Sequence, residues 1–144
     1  MISMSNKRHK ARQLAMQGLY QWQVNQQNVE EIINQFLGDE DMGKFDVPYF
    51  RDLLSGVPSH LDSIDEKIKP LINRSIEQVD PVERAILRLG VYEMMQHPEI
   101  PFRVVINEGV ELAKTFGAEQ GHRYINGVLD KLAPQLRPFE AKKK

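Results

Sequence analysis

The chain has 144 residues, 41% of them hydrophobic, a formal net charge of −1 and no cysteine. That length suits one domain or two small packed halves, and the composition supports a buried core rather than disorder. The absence of cysteine excludes disulfides, thiolate metal sites and cysteine nucleophiles, no apolar run approaches the ~20 residues that span a membrane, and the polar start lacks a signal-peptide core, so a cytoplasmic protein is expected.

Charge is unevenly distributed. Positions 1–12 hold Lys7, Arg8, Lys10 and Arg12 and no acid, whereas positions 28–46 hold six acids against Lys44 alone. A basic end on a near-neutral protein is a local electrostatic footprint. Met4 is an alternative start to Met1.

Seven helical segments and no convincing strand can be drawn. The first spans Lys7 to Gln23, with Ser5 or Asn6 as its cap and Leu14, Ala15, Leu19 and Trp22 apolar. Cations in its first turns oppose the helix dipole, which a purely structural start would avoid. Arg8 and Arg12, at i,i+4, share a face. An approaching anion such as nucleic-acid phosphate explains this; so does a solvated basic tail.

Asn28-Val29-Glu30-Glu31 resembles a capping box opening a second helix, with Ile32, Ile33, Phe36 and Leu37 on one face. An acidic loop from Gly38 to Phe45 follows. The third helix starts at Asp46-Val47-Pro48, turns Phe50, Leu53, Leu54 and Val57 inward, and ends at Gly56 and Pro58. The fourth opens at Ser59 and carries Leu61, Ile64, Ile68, Leu71 and Ile72. The hinge between halves is expected at 73–79, giving an N-terminal helical subdomain 1–76 and a C-terminal one 77–144.

Asp80-Pro81-Val82-Glu83 is a clear start for the fifth helix. Its apolar positions, from Val82 and Ala85 to Met94 and Met95, are too many for one stripe, so the helix is expected to be central and covered on several sides. Tyr20, Glu77, Glu83, Arg88 and Tyr92 read either as a polar rim around a partner surface or as ordinary surface charge and packed tyrosine.

A proline-bounded loop, His97 to Pro101, leads into a helical hairpin. One stripe runs through Phe102, Val105, Ile106, Leu112, Ala113 and Phe116. Gly117 follows it, where a left-handed cap is least costly. The second stripe runs Tyr124, Ile125, Val128, Leu129 and Leu132, with Pro134 closing it. The turn presents helix-start amides around Ala118 and Gln120, with Arg123 and Tyr124 just beyond. Those amides favour an anion, Arg123 can pair with phosphate, and Tyr124 can stack on a base or simply pack in the core. Asn107, Glu108 and Asn126 are expected to be buried groups tying the hairpin together.

Catalysis finds little support. His9, His60, His97 and His122 are scattered without metal-ligand spacing, and no phosphate-binding glycine loop follows a strand. No metal, no cofactor and no enzymatic activity are expected.

The string INEGVELAKTFGAEQGHRYINGVLDKLAP resembles the signature of the bacterial NusB antitermination family. KRHKARQLAMQGLYQWQ, DVPYFRDLLSGV and VERAILRLGVYEM are also similar to that family, in order and register over nearly the whole chain. The resemblance implies an all-α fold of two packed small helical bundles. It implies an arginine-rich RNA-binding segment at Lys7, Arg8, Lys10 and Arg12, continued at Ala118, Gln120, Arg123 and Tyr124. It also implies a surface for the ribosomal protein NusE, with Tyr20, Glu83 and Arg88 matching the pattern. His9 departs from an all-arginine segment. The implied function is binding boxA of ribosomal RNA leaders, as single strands, with NusE, so that RNA polymerase reads through terminators. Two rivals remain: an RNA-targeting accessory similar to the leader domain of some ribosomal RNA methyltransferases, and a helical protein–protein adaptor.

Overall fold

A computed structural model describes residues 2–142; Met1, Lys143 and Lys144 lie outside the described residues. Helices account for every regular element among them: α1 (Met4–Asn25), α2 (Val29–Asp39), α3 (Val47–Ser59), α4 (Leu61–Ile68), α5 (Pro81–Gln96), α6 (Phe102–Phe116), α7 (Gly121–Leu136) and α8 (Pro138–Lys142). Short 3-10 turns lie at Met42–Lys44, Lys69–Leu71 and Ile76–Gln78. The short α8 and these turns have too few residues for a periodic pattern to show.

Capping follows residue chemistry, with shifts. Ser3, rather than Ser5 or Asn6, caps α1, its hydroxyl accepting from the Asn6 amide at 3.1 Å. Asn28 caps α2 through the amides of Glu30 and Glu31. Asp80 caps α5 at 3.1 Å from both Val82 and Glu83 amides, with Pro81 in the first turn. α4 starts after His60 without a side-chain cap. Two prolines do not stop their helices. Pro58 lies inside α3 and Pro134 inside α7, each near a C-terminus, where little of the helix is left to disrupt.

The chain divides into two compact units, Met1–Ser59 and His60–Lys144. This differs from a boundary at 76/77. Helix α4 groups with the second unit because it packs on α5 and α7, buries Ile64 and Ile68 completely, and is joined to α5 by the Arg88–Asp65 pair.

In the first unit α1, α2 and α3 pack on one another. Phe50 is fully buried and meets the rings of Phe36 and Phe45 at 5.9 and 5.5 Å. In the second unit α5 is the shared element for α4, α6 and α7, and every position from Glu83 to Met94 except Arg84 is buried. Leu129 of α7 seats against glycines of two neighbours: a Cβ on Gly90 would lie 3.2 Å, and one on Gly109 3.3 Å, from its methyl groups.

Arg137 closes the second unit. Its guanidinium donates to the carbonyls of Met94, His97 and Ile100 at 2.9–3.0 Å and pairs with Glu140 at 2.6 Å. The other Glu140 oxygen accepts from the Phe102 amide at 2.7 Å. That acceptor is the side-chain cap of α6 and holds the Glu140 carboxyl below its usual range: burial alone would raise it, and the Phe102 and Arg137 hydrogen bonds outweigh that. No helix among the described residues is long and apolar enough to cross a membrane.

Replacing Phe50 with Ala is expected to cost about 3–5 kcal/mol, the transfer loss plus the cavity left beside the rings of Phe36 and Phe45. Urea unfolding monitored by circular dichroism measures it.

Candidate nucleic-acid interface

The basic segment occupies the start of α1, whose first turn holds no acid. Lys7, Arg8 and Lys10 are partly exposed and His9 is exposed, but Arg12 is buried, at 4% exposure. Arg8 and Arg12 do share a face, and it is turned to Tyr49 of α3: their guanidinium carbons lie 4.5 and 5.4 Å from its ring centroid. Arg8 Nε also meets Asp46 at 3.4 Å. Asp46 in turn accepts from the Tyr49 amide at 3.0 Å, and its own amide donates to the Lys7 carbonyl at 3.1 Å. Arg12 is therefore a packing residue that holds α1 to α3, a correction to its reading as a phosphate contact. Desolvation in that position is offset by the ring face.

The second set lies at the α6–α7 turn and along α7. Gly117 is extended, with φ −94°, rather than left-handed. Glycine is needed there because a Cβ would stand 2.9 Å from the Ala113 carbonyl oxygen, the same carbonyl that accepts from the Gly117 amide. Ala118, Gln120 and Arg123 are exposed, and no side chain caps α7.

Tyr124 and Arg123 line a groove of about 610 Å³ between α7 and residues 70–74, together with Arg74 and Lys131. The lining contains three cations and no acid. The Arg74 guanidinium lies 5.0 Å over the Tyr124 ring, and the buried Tyr124 hydroxyl has no hydrogen-bond partner. Burial pushes the phenol pKa up, Glu83 adds to that, and Arg74 opposes it, so the hydroxyl stays a donor. Such a groove can take an anionic backbone beside a planar, hydrogen-bonding group. Sequence reading does not reach Arg74 or Lys131. The available signal for Lys131 is its place seven residues after Tyr124 on one helix face; Arg74 lies in a loop without periodicity.

The partner candidates separate. Tyr20 is 40% exposed, and Val24, one turn on, 50%. Glu77 is exposed on a 3-10 turn whose Ile76 and Glu77 carbonyls accept from Arg84. Glu83, Arg88 and Tyr92 are buried, at 8%, 8% and 4% exposure, which corrects their reading as a rim. Arg88 makes a two-pronged bond to Asp65 at 3.0 and 2.9 Å, and Tyr92 packs between the rings of His60 and His97 at 5.7 and 6.0 Å. Asn107 and Asn126 are exposed and Glu108 half-buried, so none is a buried tie between α6 and α7. No group of three or more His, Asp or Glu among the described residues is placed to hold a metal ion.

Burial raises the Glu83 carboxyl pKa, Asp80 adds to this, and Arg74 opposes it. A carboxyl raised on folding favours the folded state below its unfolded pKa and loses that contribution as pH rises through its folded value. Glu83→Gln should therefore be more stable than the parent at pH 8, with the gap shrinking towards pH 4, in urea titrations at both pH values.

A model of the NusB family matches residues 9–134. Transcription antitermination protein NusB of Nitrosococcus oceani is 53% identical over 137 residues, covering 95% of this chain and 92% of that protein. The protein of the same name from Pseudomonas fluorescens is 51% identical, covering 97% and 84%. Among solved structures, T. maritima NusB aligns with a TM-score of 0.85 at 26% identity, over 99% of both chains. A chain from a complex of antitermination factors NusB and NusE with double-stranded RNA aligns with a TM-score of 0.79 at 26% identity, over 88% of this chain and 96% of that one.

Proposed function

The chain belongs to the NusB family, and on that premise we propose that it is an RNA-binding transcription antitermination factor. It binds boxA of ribosomal RNA leader transcripts together with NusE and helps RNA polymerase read through terminators. The observation that carries the reading is the groove beside α7, with Arg74, Arg123 and Lys131 around a Tyr124 whose hydroxyl is unused.

The roles divide by physics. Lys7 and Lys10, with the exposed part of Arg8, supply phosphate contacts that position a strand without reading it. Tyr124 offers its ring, at the groove wall, to an unpaired base, while Arg123, Arg74 and Lys131 hold the flanking phosphates. The turn residues Ala118 and Gln120 offer backbone and carboxamide groups to the same strand. NusE contacts are assigned to Tyr20 and to Glu77, the two partner candidates that remain at the surface. The chain works as an adaptor, with affinity shared between RNA and protein, and no catalytic step is assigned to it.

The test is fluorescence anisotropy of a labelled boxA RNA, a scrambled strand and a boxA duplex, with and without NusE, over a salt series. Selective binding of the single strand, tightened by NusE, is expected; equal weak binding of all three, unmoved by NusE, defeats the proposal. Lys10→Ala should reduce the slope of log K against log salt by about 0.7, the value for one single-strand phosphate contact, while Arg12→Ala lowers stability and leaves the slope unchanged. Tyr124→Ala should weaken single-strand binding by about 1–3 kcal/mol, and Tyr124→Phe reports the share of the hydroxyl in the same titration.

A further inference from the structure

Glu83 is buried in the first turn of α5, and among the described residues its carboxylate makes no hydrogen bond or ion pair. The carboxylate meets the start of α7, where a Cβ on Gly121 would stand 2.7 Å from Glu83 Oε2. Tyr124 lies three residues beyond Gly121 on the same helix, and its ring carries the Arg74 guanidinium at 5.0 Å. Arg74 is exposed in the loop before the Ile76–Gln78 turn. It lines the groove beside α7 with Arg123 and Lys131, whereas Glu83 does not line it.

A carboxylate taken out of water without hydrogen bonds depends on the nearest cation. For Glu83 that cation is Arg74, which opposes the upward pull of burial and of Asp80 on its carboxyl. The same guanidinium opposes the rise of the Tyr124 phenol, to which Glu83 itself adds. Arg74 therefore has an interior duty and a groove duty. A phosphate entering the groove competes with Glu83 for one positive charge.

We infer that Glu83 is a positioning residue of the groove: it draws Arg74 in over Tyr124 and withholds part of its charge from an entering phosphate. It acts through Arg74 and touches no ligand. The inference deepens the RNA reading and rests on it for the identity of the strand, while the competition for Arg74 applies to any phosphate. The groups that face Glu83 are Asp80 at the cap of α5, Arg74 from the loop and Tyr124 from α7. The ionised carboxyl is the competitor, so phosphate binding takes up a proton at Glu83 and strengthens as pH falls through the folded value of that group.

Glu83→Gln removes the charge and keeps the shape. At pH 8 it is compared with the parent in two titrations, without NusE. One uses boxA single strand, read by anisotropy over a salt series. The other uses uridine monophosphate, read by the NMR shift of the Arg74 Nε–H. Glu83→Gln should bind both about two- to fivefold tighter, with a salt slope for RNA steeper by up to about 0.7. In an Arg74→Ala background the same substitution should leave RNA affinity unchanged. Towards about pH 5 the parent should close on Glu83→Gln; His9 and His122 titrate in both proteins and cancel. Circular dichroism melting checks the fold of each variant. A Glu83→Gln protein that binds neither probe more tightly overturns the inference, and so does a gain that survives in Arg74→Ala. A gain for the mononucleotide in a chain that does not select boxA upholds the role of Glu83 and counts against the RNA reading alone.

Discussion

Helix α5 is buried along nearly its whole length, and the second unit is arranged around that constraint. A helix with no free face must satisfy its polar side chains internally. Arg88 does so through the two-pronged bond to Asp65, which is also what ties α4 to this unit. Tyr92 spends its ring on two histidines. At the N-terminal end the accounting is incomplete: Glu83 carries a carboxyl raised by burial, and Arg84 Nε has no partner. That imperfect end adjoins Arg74 and Tyr124, so the polar tension of the core and the candidate RNA groove occupy one neighbourhood.

The first unit solves a related problem with an aromatic ring. Two arginines on one face of α1 would repel, and Tyr49 receives both, with Asp46 taking the charge of Arg8. The basic segment thereby splits into cations that build the helix junction and cations that face water. A patch judged by its count of arginines overstates the charge on offer to RNA, because Arg12 is committed to packing.

Element type was readable in the sequence wherever a pattern ran long enough: the central nature of α5, the α6–α7 hairpin, and caps at Asn28 and Asp80 follow from residue chemistry alone. The errors have one source. Apolar periodicity and charge tell which residues belong to an interface, but not whether that interface faces water or another helix. Arg12, Arg88 and Glu83 carry charge and read as surface; each is buried because a partner distant in sequence, Tyr49, Asp65 or Gly121, comes up against it. Asn107 and Asn126 err the other way, lying beside apolar stripes yet exposed. Gly117 ends α6 as the pattern expects, but the constraint on it is a carbonyl 2.9 Å from a would-be Cβ rather than a left-handed turn. The packing of α4 on α5 and α7 is not legible in the sequence, because helix-to-helix partnership is not written in either helix alone.

The guanidinium of Arg137 has a consequence for biosynthesis. It is the hydrogen-bond donor for carbonyls at positions 94, 97 and 100, and Glu140 satisfies the amide that begins α6. On a ribosome adding about 5–20 residues per second, the loop after α5 and the start of α6 emerge some forty residues before the groups that complete them. Until then those polar groups must be served by water, which keeps that region open during synthesis. The second unit is thus sealed from its far end, and its packing is completed only once residues 137 and 140 have joined it.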